Sequence, residues 1–136
     1  MPAYLKAGVY YTTKLEAVRH PDQGYYQRLF SYDLIVKAAS IEFYSKNPDA
    51  ACRKYEEAYS IWHYYYTTNP KWNTEGIDDS QLFEVFWRGA NEHEQNQVVK
   101  HRLDTLLNIA ACNLKSSCYA EVLPPVNEAL KIYPSS

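Results

Sequence analysis

Apolar residues recur at helical spacing over two stretches of the chain, and the period is lost between them. From Ser31, a stripe of Leu34, Ala38 and Ile41 beside Ala39 and Phe43 runs to Asn47-Pro48. Asn47 is a residue type that caps helices, and Pro48 at a first helical position forfeits no needed N–H. The next stripe is Ala51, Tyr55, Ala58 and Ile61-Trp62, with Arg53, Lys54, Glu56 and Glu57 largely on the other side. An antiparallel helix pair is therefore expected over 31–66. A second pair is expected over 97–134, with Asn108 through Lys115 in its first helix and Val122, Val126 and Ala129 in its second. Ala39 to Ala51 spans twelve residues, as does Ala110 to Val122. Small residues at such positions let two helices approach closely enough to pack as a hairpin.

The remaining segments read differently. Thr68-Asn69-Pro70 and Glu75-Gly76 mark loop, while Asp78-Asp79-Ser80-Gln81 has the character of a helix start. Leu82, Val85, Phe86 and Trp87 would then give a short apolar helix face inside an insertion over 67–96. Pro124-Pro125 falls within the expected last helix, where an interior proline costs roughly 3 kcal/mol. That helix should start late, near Leu123, or bend. Residues 1–30 form a non-repeat segment. Tyr10-Tyr11-Thr12-Thr13 favours extended structure, Thr13 suits the cap of a short helix to Arg19, and His20 to Gly24 reads as a turn. This segment either covers the helical array or lies on a partner.

Together the two pairs resemble the tetratricopeptide repeat (TPR) domain, in the form found in large immunophilins and their co-chaperone relatives. The resemblance is carried by Ala39-Ser40-Ile41-Glu42-Phe43 through Ala51-Cys52-Arg53-Lys54-Tyr55-Glu56-Glu57-Ala58, and by Leu107 through Lys115. Val122, Val126 and Ala129 stand where the repeat has A-x3-F and a further small residue. The fold class it implies is all-α, with TPR-like hairpins stacked at 31–66 and 97–134. Ala39 and Ala110 are 71 residues apart, against a repeat of about 34, so an insertion separates the hairpins. Stacked hairpins leave a concave groove, here lined by Lys37, Ser40, Asn108 and Lys115, that receives a peptide or helix from another protein. The family's best-known task is gripping acidic chaperone tails with a carboxylate clamp. Asn108 matches one clamp residue. Val36 and Ser40 replace two others, with Lys37 adjacent, and the last two positions would lie beyond Ser136. One neutral amide replaces a set of charge-assisted donors. The resemblance therefore implies a non-catalytic scaffold or adaptor, with two alternatives: a structural subunit of a ciliary, cytoskeletal or organellar assembly, and a chaperone-tail binder.

Composition narrows the partners. Apolar residues make up 46% and charged residues 22% of 136, as expected of one soluble domain or part of a longer array. A net charge of −2 gives no electrostatic reason for nucleic acid or an anionic membrane, and no window reaches the length of a membrane-spanning helix. With no signal peptide at Met1 and no CxxC among Cys52, Cys112 and Cys118, a cytoplasmic, reducing setting is expected, with cilium or cytoskeleton open. The 14 tyrosines bring rings that suit both core and contact surface. In the aromatic run Trp62–Tyr66 and beyond, Tyr65 and Trp72 are expected to contact a partner, whereas Trp62, Phe83 and Phe86 suit the protein's own core.

Candidate chemistry is sparse. His93 and His101 lie two helical turns apart, roughly 12 Å by the helical rise, with Gln97 between them, so solvated helix histidines are expected and no metal. His63, between Trp62 and Tyr64, reads as a member of an aromatic cluster. Glu92-His93-Glu94 and Asp78-Asp79 read as solvated helix-end charges. There is no HExxH, Walker loop, GxGxxG or GxSxG. No catalytic residue, cofactor or metal is expected.

Overall fold

Prolines decide where two of the helices begin, and left-handed residues decide where two of them end. The computed structural model describes residues 3–4, 23–67, 71–75 and 82–132. Its helices are α1 (Tyr25–Tyr44), α2 (Pro48–Ser60), the single turn α3 (Trp72–Glu75), α4 (Glu92–Lys115) and α5 (Leu123–Ile132). Strands β1 (Ala3–Tyr4), β2 (His63–Thr67) and β3 (Leu82–Phe86) form an antiparallel sheet in that order. Helix dominates the described residues, as the two apolar periods require.

Pro48 is the first residue of α2, and Asn47 precedes it with no side-chain cap bond; its amide instead donates to Glu42. α5 does begin at Leu123, so Pro124 and Pro125 fall in its first turn, where N–H groups have no intrahelical acceptor anyway. A 3-10 turn, Tyr119–Glu121, leads into it. At the other ends, Lys46 (φ 65°) and Ser117 (φ 60°) occupy the left-handed region. Lys46 N–H bonds the Phe43 carbonyl and Asn47 N–H the Glu42 carbonyl. Ser117 bonds Leu114 and Cys118 bonds Asn113 in the same pattern. Both helices thus close on a Schellman motif, whose left-handed position is usually glycine.

Several expectations need correction. α1 starts at Tyr25, six residues before Ser31, because Gly24 supplies an extended N-cap there; it runs through the expected boundary at residue 30. The first helix pair does not reach residue 66. α2 ends at Ser60, and His63-Tyr64-Tyr65-Tyr66-Thr67, an aromatic run closing on a β-branched residue, pairs as a strand. Leu82, Val85 and Phe86 lie in β3 rather than on a helix face, with His63 opposite Phe86 and Tyr66 opposite Phe83. Tyr66 and Phe83 stack with centroids 5.2 Å apart, the kind of cross-strand pair that stabilises a two-stranded contact. Residues 10–19 and 78–81, for which an extended run and helix starts were expected, lie outside the described residues.

The core has two centres. Around Ala39 and Ala51, both fully buried, Tyr55, Tyr59, Leu106, Ile109, Cys112 and Ala129 join α1, α2, α4 and α5. Ala39, Ala51 and Ala129 bring small side chains to this centre, beside Tyr55 and Tyr59. The second centre gathers Tyr25, Tyr32, Ala58, Ile61, Trp62 and Val98. Tyr32 reaches across to α4, its hydroxyl 3.1 Å from the His101 carbonyl and 2.8 Å from Thr105 Oγ1. Arg28 is fully buried yet well supplied with acceptors: it donates to the carbonyls of Gln23, Ile61 and His63 and lies 4.8 Å over the Trp87 ring. A guanidinium on the carbonyl just past α2 neutralises the negative end of that helix while tying α1 to the sheet.

Candidate functional site

Where the sheet meets α2, α4 and α5 a cleft of about 640 Å³ opens. Glu56 and Tyr59 reach it from α2, His63 from β2, Glu84 and Phe86 from β3, and Glu128 from α5. Leu106 and Ile109 of α4 contribute apolar walls, with Pro124 and Pro125 of α5 opposite. Three carboxylates from three different elements thus share one opening.

Arg102 of α4 governs the polar side of the cleft. It is nearly buried, donates to the Tyr59 hydroxyl at 3.0 Å and lies 3.8 Å from the Glu128 carboxylate. Its guanidinium carbon sits 3.7 Å from the centre of the Phe86 ring and 5.4 Å from that of Tyr59, within cation–π range of both. Burial pushes the Tyr59 phenol up, and Arg102 pulls in the opposite direction. Tyr59 is thus a neutral, hydrogen-bonded phenol at physiological pH. His63 Nδ1 lies 2.7 Å from Glu84 Oε1, diagonally across the β2–β3 ladder, and its ring packs 4.9 Å from that of Tyr59. The lining offers carboxylates, an imidazole and a phenol, but no serine, threonine or cysteine among the described residues. The described thiols stand elsewhere: burial pushes Cys52 up to about 12, with Glu56 adding to it, and Cys112 up to about 11.

A second feature lies on the far side of α1. Tyr26 (78% exposed), Phe30 (70%), Leu34 (55%), Ile41 (67%) and Tyr44 (81%) turn away from the protein. At 3.6 residues per turn they fall within an arc of roughly 80° running the length of the helix. Leu34 and Ile41, which share the expected apolar stripe with Ala39, are therefore surface residues. The inward positions are Tyr25, Arg28, Tyr32 and Ala39. α1 is apolar on two sides at once, a pattern typical of helices covered all round. Shallow grooves flank the stripe at both ends, one beside Tyr26 and Phe30, the other beside Ile41 and Tyr44.

The residues expected to line one groove are dispersed. Lys37 is exposed on the outer face of α1. Ser40 lies in the groove beside Ile41 and Tyr44, and its hydroxyl works against the burial that pushes the Tyr55 phenol of α2 up. Asn108 is half-buried on α4, and Lys115 is exposed in the last turn of that helix. The groove beside Lys37 and Ser40 is lined by the end of α1 and its cap residue Ser45, without Asn108 or Lys115. Tyr65 stands in β2 opposite Glu84, and Trp72 opens α3; the side chains of both lie outside the described residues. His101 is not a solvated histidine. It stacks on Trp62 with centroids 5.3 Å apart and planes 8° from parallel, and it meets the Tyr25 hydroxyl at 3.4 Å. Burial holds its pKa below the ordinary histidine value.

Sequence reasoning passed over Arg28 and Arg102. The signal was present: each is a charge standing at the spacing of its helix's buried side, Arg28 between Tyr25 and Tyr32, Arg102 between Val98 and Leu106. Among the described residues, no helix is long and apolar enough to cross a membrane, and no three His, Cys, Asp or Glu gather as metal ligands. Comparison with protein-family models, with curated proteins and with solved structures returns no match.

Proposed function

We propose that the chain is a non-catalytic helical interaction module, a scaffold or adaptor in which α1–α2 and α4–α5 stack in the manner of TPR hairpins. The observation that carries this reading is the outer stripe of α1. Scattered apolar residues are ordinary on a protein surface, whereas five large side chains aligned on one face of one helix mark a contact face. In stacked hairpins the outer face of a first helix is where the neighbouring unit packs, which gives the stripe a role. Buried alanines at both seams, Ala39 with Ala51 and Ala110 with Ala129, support close hairpin packing. The non-catalytic reading is supported by the way two kinds of reactive group are tied: the Tyr59 hydroxyl takes a bond from Arg102, and the half-buried Cys52 and buried Cys112 thiols are held protonated. A permanent structural subunit is the second reading, favoured by α1 being apolar on both sides.

Replacing Phe30 and Ile41 together by Asp leaves the inward side of α1 untouched. The variant should keep its helical circular dichroism and melt within a few degrees of the parent, yet lose the proteins that the parent retains from native extract. An unchanged set of retained proteins would remove the stripe from the proposal.

A further inference from the structure

The outer stripe of α1 is apolar except at three positions, Asp33, Lys37 and Ser40, and the two charges are placed with symmetry. Tyr26 and Tyr44 terminate it, nine residues either side of Ile35, and Asp33 and Lys37 stand two residues either side of the same point. Both charged side chains are exposed. Laid against itself antiparallel about Ile35, the helix sets Tyr26 against Tyr44, Phe30 against Ser40 and Ile41, and each Asp33 against a Lys37. Two unlike charge pairs form for one two-fold axis, and none of like sign. The shallow grooves obey the same operation. One is bounded by Tyr26 and Phe30 and the other by Ser40, Ile41 and Tyr44, so each copy offers its projecting end rings to a groove of the other.

We infer that the stripe is an isologous interface and that its occupant is a second copy of this chain, joined through antiparallel α1 helices. This rests on reading the stripe as a contact face. A two-fold interface must be self-complementary, with residue i meeting j and j meeting i, and the positions of Asp33 and Lys37 satisfy that condition. A foreign partner would impose no such symmetry on the sequence. The scale also suffices: five large side chains per copy, most of each exposed, would bury roughly 1,000–1,500 Å² in total, near the lower bound of stable protein interfaces. The charges fix direction. A parallel pairing would set Asp33 on Asp33 and Lys37 on Lys37, which like-charge repulsion disfavours.

The test is sedimentation equilibrium of the full chain across a hundredfold concentration range. The parent should approach twice its 15.8 kDa mass. Asp33→Lys alone, or Lys37→Asp alone, places like charges together and should weaken association at least tenfold. The double change Asp33→Lys with Lys37→Asp restores unlike pairs and should restore association. Both positions are exposed, so circular dichroism should be the same throughout. A chain that stays at 15.8 kDa at every concentration overturns the inference. So does a dimer indifferent to the single changes, or one that the double change fails to rescue. If the chain is monomeric yet Phe30→Asp with Ile41→Asp still loses proteins from extract, the contact face stands and only the second copy falls.

Discussion

Arg102 shows how much one side chain can hold here. It joins α4 to Tyr59 of α2, to Phe86 of β3 and to Glu128 of α5, and burial removes the water that would otherwise replace those partners. Arg102→Ala leaves a buried phenol short of its donor and a carboxylate without its cation. A loss of about 2–4 kcal/mol is expected, readable from urea unfolding, whereas Glu128→Gln at the exposed end of the pair should cost under about 1 kcal/mol. His101 makes a pH-dependent contribution. Its pKa is lowered in the fold by burial, against the pull of Asp33 and Asp104. The unfolded chain therefore takes up the proton first as pH falls below about 6.5. The contribution of His101 is complete above that pH and is lost on the way down through the folded value. Urea midpoints at pH 8 and pH 5.5 should differ more for the parent than for His101→Phe, which keeps the stack on Trp62 but cannot be protonated. Equal differences in the two proteins would show that burial of this ring costs nothing on protonation.

At the scale of elements, the ends of α1 and α4 share one motif and one weakness. Lys46 and Ser117 hold left-handed backbone that a side chain disfavours. Lys46→Gly and Ser117→Gly should each raise stability by about 0.5–1 kcal/mol, visible as an upward shift in thermal midpoint. Neither turn was visible in the sequence, because the residue that advertises such a turn is glycine and neither position has it. The helix starts were visible, since Pro48 and Pro124-Pro125 allow few alternatives. The seams were visible too, through Ala39, Ala51, Ala110 and Ala129. Misreadings came where tertiary packing overrides local pattern. Leu34 and Ile41 share the helical period of Ala39, so spacing alone could not tell the inward side of α1 from its outward side. The period of β3 was misread because Leu82, Val85 and Phe86 fit a helix face as well as a short strand, and only pairing with β2 decides. Of the candidate site, His63 was legible as an aromatic neighbour. Its approach to Glu84, and the convergence of Glu56, Glu84 and Glu128, arise from segments far apart in the chain.

Across the whole molecule the two core centres share their helices, and the links between them are polar tips on aromatic rings. Tyr32 crosses from α1 to α4, and Arg28 ties α1 to the carbonyls beyond α2. A slide of one helix along another would break several of these bonds at once, so the two centres should open in a single transition. The near-parallel contact of Trp62 with His101 makes that transition observable without a label. An excited indole passes an electron readily to a protonated imidazole lying against it, so light emission from Trp62 is coupled to the state of one ring on α4. The chain therefore carries an intrinsic optical gauge at the place where its halves meet. Acidification should dim it before the helices are lost, and His101→Phe should silence that early response while leaving the later one intact.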